Sequence, residues 1–183
     1  MKTTKSIFLV LILGVFSCGG SRVIVENDQY KDFSLTDYKT FDFFEIDAPN
    51  SENPNFKENV SYLEETISKE LVARGLTKSS TNPDLKINLG IKIEDKVQTR
   101  TTSLATDPFM YSGQRSYTWQ AKEVPVNTYR EGSLTVHLVD RNSNKAVWVG
   151  TIDQVVPNKQ KNTPAAIESA VAEIFKELDL NNK

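Results

Sequence analysis

Between Leu85 and Ile93 the chain alternates without a break: Leu85, Ile87, Leu89, Ile91 and Ile93 are apolar, and Lys86, Asn88, Gly90 and Lys92 lie between them. Successive side chains on a strand point to opposite faces, so this period of two makes one apolar and one polar face. A sheet built on such a strand is covered on one side only. The apolar side needs an amphipathic partner elsewhere in the chain.

Two segments offer that partner. Phe56, Val60, Leu63, Ile67 and Leu71 recur at spacings of four, three, four and four, one face of a helix. Gly75 stands where a left-handed C-terminal cap is wanted, Arg74 suits the negative end of the helix dipole, and Leu76 can fold back on the last turn. The second segment opens at Thr163-Pro164, read as N-cap and first helical position. Its buried stripe is Ile167, Ala170, Val171, Ile174 and Leu178.

The remaining elements read as strands. Asp37 to Ile46 is rich in aromatic and β-branched residues, after a short extended lead-in from Val23 to Gln29. Residues 47–55 form a loop with two prolines. Residues 99–114 are rich in Thr and Ser without period and read as a long connection. Arg115 to Lys122 is strand-like, with Pro125 marking a strand end or an edge. Glu131 to Asp140 and Ala146 to Val156 are partners across a turn at Arg141 to Lys145. The order β-α-β-β-β-β-α predicts an α+β two-layer sandwich: a mostly antiparallel five-stranded sheet with two helices on one face. Lys86, Asn88, Lys92, Thr135 and His137 are expected on the open, polar face.

The N-terminus reads differently. Lys2 and Lys5 precede an apolar run from Ile7 to Phe16, the pattern of a secretory signal. Ten residues make a helix of about 15 Å, half a bilayer core, which is too short to span. Val15-Phe16-Ser17-Cys18 resembles a bacterial lipobox, although Phe16 departs from the small or hydroxylated residue usual there. The resemblance implies cleavage before Cys18 and acylation of its sulfur. Cys18 is the only cysteine in 183 residues. The expected organisation is a signal peptide over 1–17, a lipidated Cys and flexible tether over 18–22, one domain over 23–178 and a polar tail over 179–183. Removing 1–17 takes two lysines and no acidic residue, so the net charge moves from −2 to −4. Gly19 after the Cys is not the Asp of inner-membrane retention, and no acidic cluster follows. The periplasmic face of the outer membrane is the expected location.

Five separated pieces also resemble one family. They are Tyr38-Lys39-Thr40-Phe41 after Asp32-Phe33, Leu71-Val72-Ala73-Arg74-Gly75-Leu76, Asn82-Pro83-Asp84-Leu85, the run Tyr129 to Asp140, and Ala146-Val147-Trp148-Val149-Gly150. In this order they resemble the bacterial lipoprotein family called domain of unknown function 4136, over about Val23 to Leu178. Ser133 stands where the family usually has Thr, and Leu76 where it often has an aromatic residue. The resemblance implies an envelope lipoprotein and brings no catalytic residue with it. Gly75, Gly132 and Trp148 are read as structural: a positive φ, a tight strand entry, and an apolar body with one N–H to satisfy.

Little else suggests chemistry. One Cys and one His leave too few soft ligands for a protein-only zinc site and no internal disulfide. The acidic balance gives no footprint for nucleic acid. Ser133 and His137 are four residues apart on a strand, about 13 Å, so with Asp140 they make no nucleophilic triad. Glu64-Glu65, Glu94-Asp95 and Glu173/Glu177 read as solvated faces. No phosphate-loop, dinucleotide or EF-hand motif is present. No metal or cofactor is expected.

One connection is unusual. Phe109, Met110 and Tyr111 sit inside an otherwise polar stretch and fit either a loop packed on the sheet edge or a partner-contacting tip. The expected function is a non-enzymatic, lipid-anchored binding or assembly module of the cell envelope, with membrane and other envelope proteins as partners. The alternative is a periplasmic carrier of a small apolar ligand held between sheet and helices. Intact-mass spectrometry of the mature protein is expected to show an acylated N-terminal Cys18; an unlipidated chain starting elsewhere would sink the anchor.

Overall fold

The computed structural model describes residues 23–25, 30, 33–44, 54–103, 105–107 and 120–181. The elements are β1 (Val23–Val25), β2 (Thr40–Phe43), α1 (Pro54–Ala73), β3 (Thr77–Lys78), β4 (Leu85–Thr101), β5 (Glu123–Asp140), β6 (Lys145–Val155) and α2 (Thr163–Asn181). The strands form one sheet in the order β1-β6-β5-β4-β2-β3. It is an α+β fold, with both helices on one sheet face.

The sheet has six strands rather than five, and it is mixed. β2 pairs parallel with both β4 and β3, while β1, β6, β5 and β4 are antiparallel neighbours. The cause is α1. A helical crossover returns the chain to the end from which β2 started, so the next strands run the same way as β2. The lead-in forms edge strand β1, with Val23 opposite Ile152. Of the strand-like run 115–122, residues 115–119 lie outside the described residues, and 120–122 are irregular. Part of the Thr/Ser-rich connection is strand instead, because β4 continues to Thr101. β5 begins at Glu123, eight residues before the hydrophobic alternation does. Pro125 lies opposite Thr99, beside the register shift at Gln98/Thr99, where its missing N–H is tolerated.

Helix ends follow local chemistry. Gly75 has φ +93°, the Leu76 N–H bonds the Leu71 carbonyl and the Gly75 N–H bonds the Val72 carbonyl, which together form a Schellman cap. Thr163 already has helical dihedrals (φ −63°, ψ −41°) and begins α2 instead of capping it. The polar residues after Leu178 continue α2 to Asn181 instead of forming a tail. Asp179 there takes a two-pronged pair from Arg74 (Nε–Oδ1 2.8 Å, Nη2–Oδ2 2.7 Å). Arg74 also reaches Glu70 and lies 4.8 Å over the Phe175 ring. Asn59 meets Gln160, Tyr62 meets Glu168 and Arg74 meets Asp179, so the two helices run in the same direction.

One core joins the layers. Phe41, Leu85, Ile87, Leu89, Val136, Leu138, Trp148 and Ile152 of the sheet pack under Leu63, Ile67 and Leu71 of α1 and Val171, Ile174, Phe175 and Leu178 of α2. Two of the sequence motifs meet at the start of β2 and β4. The Asp84 carboxylate accepts the backbone N–H groups of Lys39 (2.9 Å) and Thr40 (3.0 Å), and the Asp84 N–H returns to the Thr40 hydroxyl (2.9 Å). The Trp148 indole lies across Gly150: a Cβ on Gly150 would come within 2.2 Å of the ring. The indole Nε1 is buried with no acceptor among the described residues.

The polar face is as expected. His137 sits in register between Asn88 and Val149, Thr135 bonds Thr151 (2.9 Å), and Lys86 reaches Asp42 (3.3 Å).

The helices do not cover the whole sheet. α1 and α2 have 20 and 19 residues, each about 30 Å long at the helical rise. β4 and β5 have 17 and 18 residues, about 55 Å at the strand rise. The strands therefore overshoot the helices as a two-stranded ribbon.

Gly150→Ala is expected to destabilise the protein by about 1–3 kcal/mol, because the indole must leave its place. Gly90→Ala meets only Thr135 Cβ at 3.5 Å and makes no such clash. Thermal melts of the two variants check the difference. A pH series checks the Asp84 knot. The Lys39 N–H, with the Thr40 side chain and N–H, holds the Asp84 carboxyl below its ordinary value. A depressed folded pKa contributes stability above the unfolded value, and that contribution is lost as pH falls through the folded value. The parent is expected to lose stability below about pH 4. Asp84→Asn should start lower at neutral pH and fall less steeply.

Candidate functional site

The overshoot leaves a cavity of about 720 Å³ between the sheet and the first turns of both helices. Ile91 and Ile93 of β4, Leu134 of β5, and Ile152 and Val155 of β6 form its sheet side. Phe56, Val60 and Leu63 of α1 and Ile167 and Ala170 of α2 form the opposite wall. This explains a gradient along the helices. Leu63, Ile67 and Leu71 are buried, whereas Phe56 and Val60 of the same stripe are half-buried, as is Ile167 at the start of the α2 stripe. Their outer neighbour on the sheet is more open still: Ile93 is 51% exposed.

Beyond Ile93 the apolar stripe is interrupted by Asp95 on the same face of β4. Val97 lies four residues past Ile93 on the same face of β4 and is 58% exposed; Val126 of β5 is 48% exposed. The opposite face of the ribbon is charged. Glu94 pairs with Lys92 (2.7 Å) and Lys96 (3.2 Å), and Lys96 also reaches Glu131 (3.7 Å). These lysines hold the Glu94 carboxyl below its ordinary value. At its outer end, Arg100 grips Asp107 through two bonds (2.6 and 2.7 Å), and Thr106 adds a third to the same carboxylate. The Arg100 guanidinium, then the Thr106 hydroxyl, hold that carboxyl well below the usual carboxylate range.

The groove rim is polar. Asp95 and Arg130 face each other in register, with Ser133, Asn158 and Gln160 nearby. The Arg130 guanidinium lies 3.4 Å from the Pro157 carbonyl. Gln154 is in the wall, and its Oε1 is buried with no donor among the described residues. Gly132 keeps this part shallow, since a Cβ there would come within 2.8 Å of Val156 Cγ2. No group of three or more His, Cys, Asp or Glu able to hold a metal occurs among the described residues.

The residues singled out from sequence fall elsewhere. Cys18, Phe109, Met110 and Tyr111 lie outside the described residues. The paired carboxylates are separate groups: Glu65 pairs with Lys69, Glu94 with lysines, and Glu173 with Lys176, while burial raises the Glu64 carboxyl. The carrier alternative expected a cavity between sheet and helices but named no residues at this end of the sheet as its lining. The signal for this end was present in the continuation of the alternation to Ile91 and Ile93, past the reach of a helix of 20 residues.

A one-sided α+β sheet with two parallel helices and an open groove is the class of domain these residues define. The family model described as domain of unknown function (DUF4136) matches residues 25–178, and the chain belongs to that family. No curated protein matches it significantly. Among solved structures, a PDZ domain protein from Parabacteroides distasonis is similar at 14% identity and TM-score 0.47, over 82% of this chain and 34% of that one. This chain thus spans about a third of that structure. The PelC dodecamer from Paraburkholderia phytofirmans is similar at 10% identity and TM-score 0.44, over 87% of this chain and 97% of that one. Likenesses this distant carry no argument about activity.

Ile93→Asp is expected to leave stability within about 0.5 kcal/mol of the parent, because a half-exposed side chain outside the packed core is changed. Leu89→Asp, four residues inward on the same face and 7% exposed, is expected to unfold the domain. Denaturant melts separate the two.

Proposed function

We propose that this chain is a non-enzymatic binding module, anchored through an acylated Cys18 to a membrane of the cell envelope, and that the groove is its binding surface. The single observation that carries the reading is an apolar cavity of about 720 Å³, within the range of about 300–1,000 Å³ that holds small ligands. The groove lies where the core would otherwise continue, and its walls are the outer members of the stripes that build the core. The anchor is supported by the lipobox-like Val15-Phe16-Ser17-Cys18. The periplasmic face of the outer membrane is the proposed location.

The carrier reading is favoured by the same cavity, since the expected place for a small apolar ligand was between sheet and helices. The assembly reading draws on the ribbon. A two-stranded ribbon is marginal alone, and the exposed side chains of Val97 and Val126 would gain from a neighbouring envelope protein.

The test is binding of an apolar fluorophore, phenylnaphthylamine, to the soluble Cys18→Ser chain. Saturable binding is expected, about tenfold weaker in Ile93→Asp, where a carboxylate would have to be desolvated. Equal binding by both chains would contradict the groove reading.

A further inference from the structure

The occupant of the groove can be argued from where the chain enters the domain. β1 runs antiparallel to β6 with Val23 opposite Ile152 and Val25 opposite Gly150. The chain therefore enters β1 from the Val155 end of β6, the end that walls the groove. Cys18 is five positions before Val23. Five residues span at most about 18 Å. Acylation of Cys18, the proposed reading on which this inference rests, keeps Val23, the neighbour of Ile152 in the groove wall, within that reach of a bilayer surface.

The groove matches the chemistry of that surface. Its sheet side presents branched alkyl groups, Ile91, Ile93 and Leu134 among them. Ile91 and Ile93 lie two residue steps apart on β4, about 7 Å, and Asp95, the next residue on that face, ends the apolar run at the rim. Arg130 stands at the rim, where a charged head can remain in water. We propose that the groove takes one acyl chain of a phospholipid from the membrane that carries the Cys18 anchor, with the phosphate outside near Arg130. The anchor supplies a high local concentration of this ligand without any further contact.

Photolabelling in vesicles tests the assignment. The full-length lipidated protein is placed in vesicles of phosphatidylethanolamine and phosphatidylglycerol, with a trace of phosphatidylglycerol bearing a diazirine near the end of one acyl chain. Flotation with the vesicles reports the anchor separately. After photolysis, label is expected on peptides containing Ile91, Ile93 and Val155, and about tenfold less label in Ile93→Asp. Label confined to other peptides, or equal in both chains, would overturn the proposal. The diazirine belongs only to the vesicle lipid, so a groove filled by the Cys18 acyl chain gives no groove label and overturns it as well. Phenylnaphthylamine binding by the Cys18→Ser chain distinguishes the two levels: binding without vesicle label rejects the phospholipid and leaves the groove reading, whereas absence of both rejects both.

Discussion

A strand advances about 3.3 Å per residue and a helix about 1.5 Å, and this difference governs the molecule. α1 and α2 contain slightly more residues than β4 and β5, yet each covers little more than half the strand length. The core forms where the two layers overlap. Past that overlap the alternation continues on the sheet through Ile91 and Ile93 as far as Asp95, beyond the packed cover of the two helices. The groove is the boundary between these regions, and the ribbon is what remains beyond it.

The covered end is fastened by specific contacts. Asp84 ties the starts of β2 and β4 through two backbone N–H groups, while the Schellman cap at Gly75 turns the chain into β3. Arg74 closes the far ends of the parallel helices against Asp179 and Phe175. The Trp148 indole over Gly150 fills the sheet beneath α2. Asp84, Arg74, Gly75, Trp148 and Gly150 lie in the pieces that carry the family resemblance, and each has a packing or capping task. None lines the groove. The motif from Tyr129 to Asp140 is the exception, since Arg130, Gly132, Ser133 and Leu134 do.

The strongly periodic segments were legible in the sequence, and the rest depended on pairing. Leu85 to Ile93 and Phe56 to Leu71 have unambiguous periods, and they occupy the expected faces. β3 has two residues, too few for any period, and is held by bonds from Thr77 and Ser79 to the β2 backbone. The outer half of β5 carries Pro125, Asn127 and Arg130, which break the alternation, and it is a strand because β4 lies beside it. The parallel pairing of β2 with β4 follows from the length of α1, not from either strand. The lining of the groove was harder to read for a similar reason, because it depends on where the helices end above the strands. Ile91 and Ile93 look like core until the helix lengths are compared with the strands.

β1 begins beside Ile152, in the wall of the alkyl-lined groove, five positions after Cys18. The central claim is that the groove is an open apolar site and not a packed extension of the core. Methyl NMR of the Cys18→Ser chain titrated with a single-chain alkyl phosphocholine below its micelle concentration measures this directly. The account predicts saturable shifts at Ile91, Ile93, Leu134, Ile152, Val155 and Ile167, with Ile87 and Leu138 of the core unmoved. Shifts on the opposite face around Val149, or none at any concentration, would contradict it.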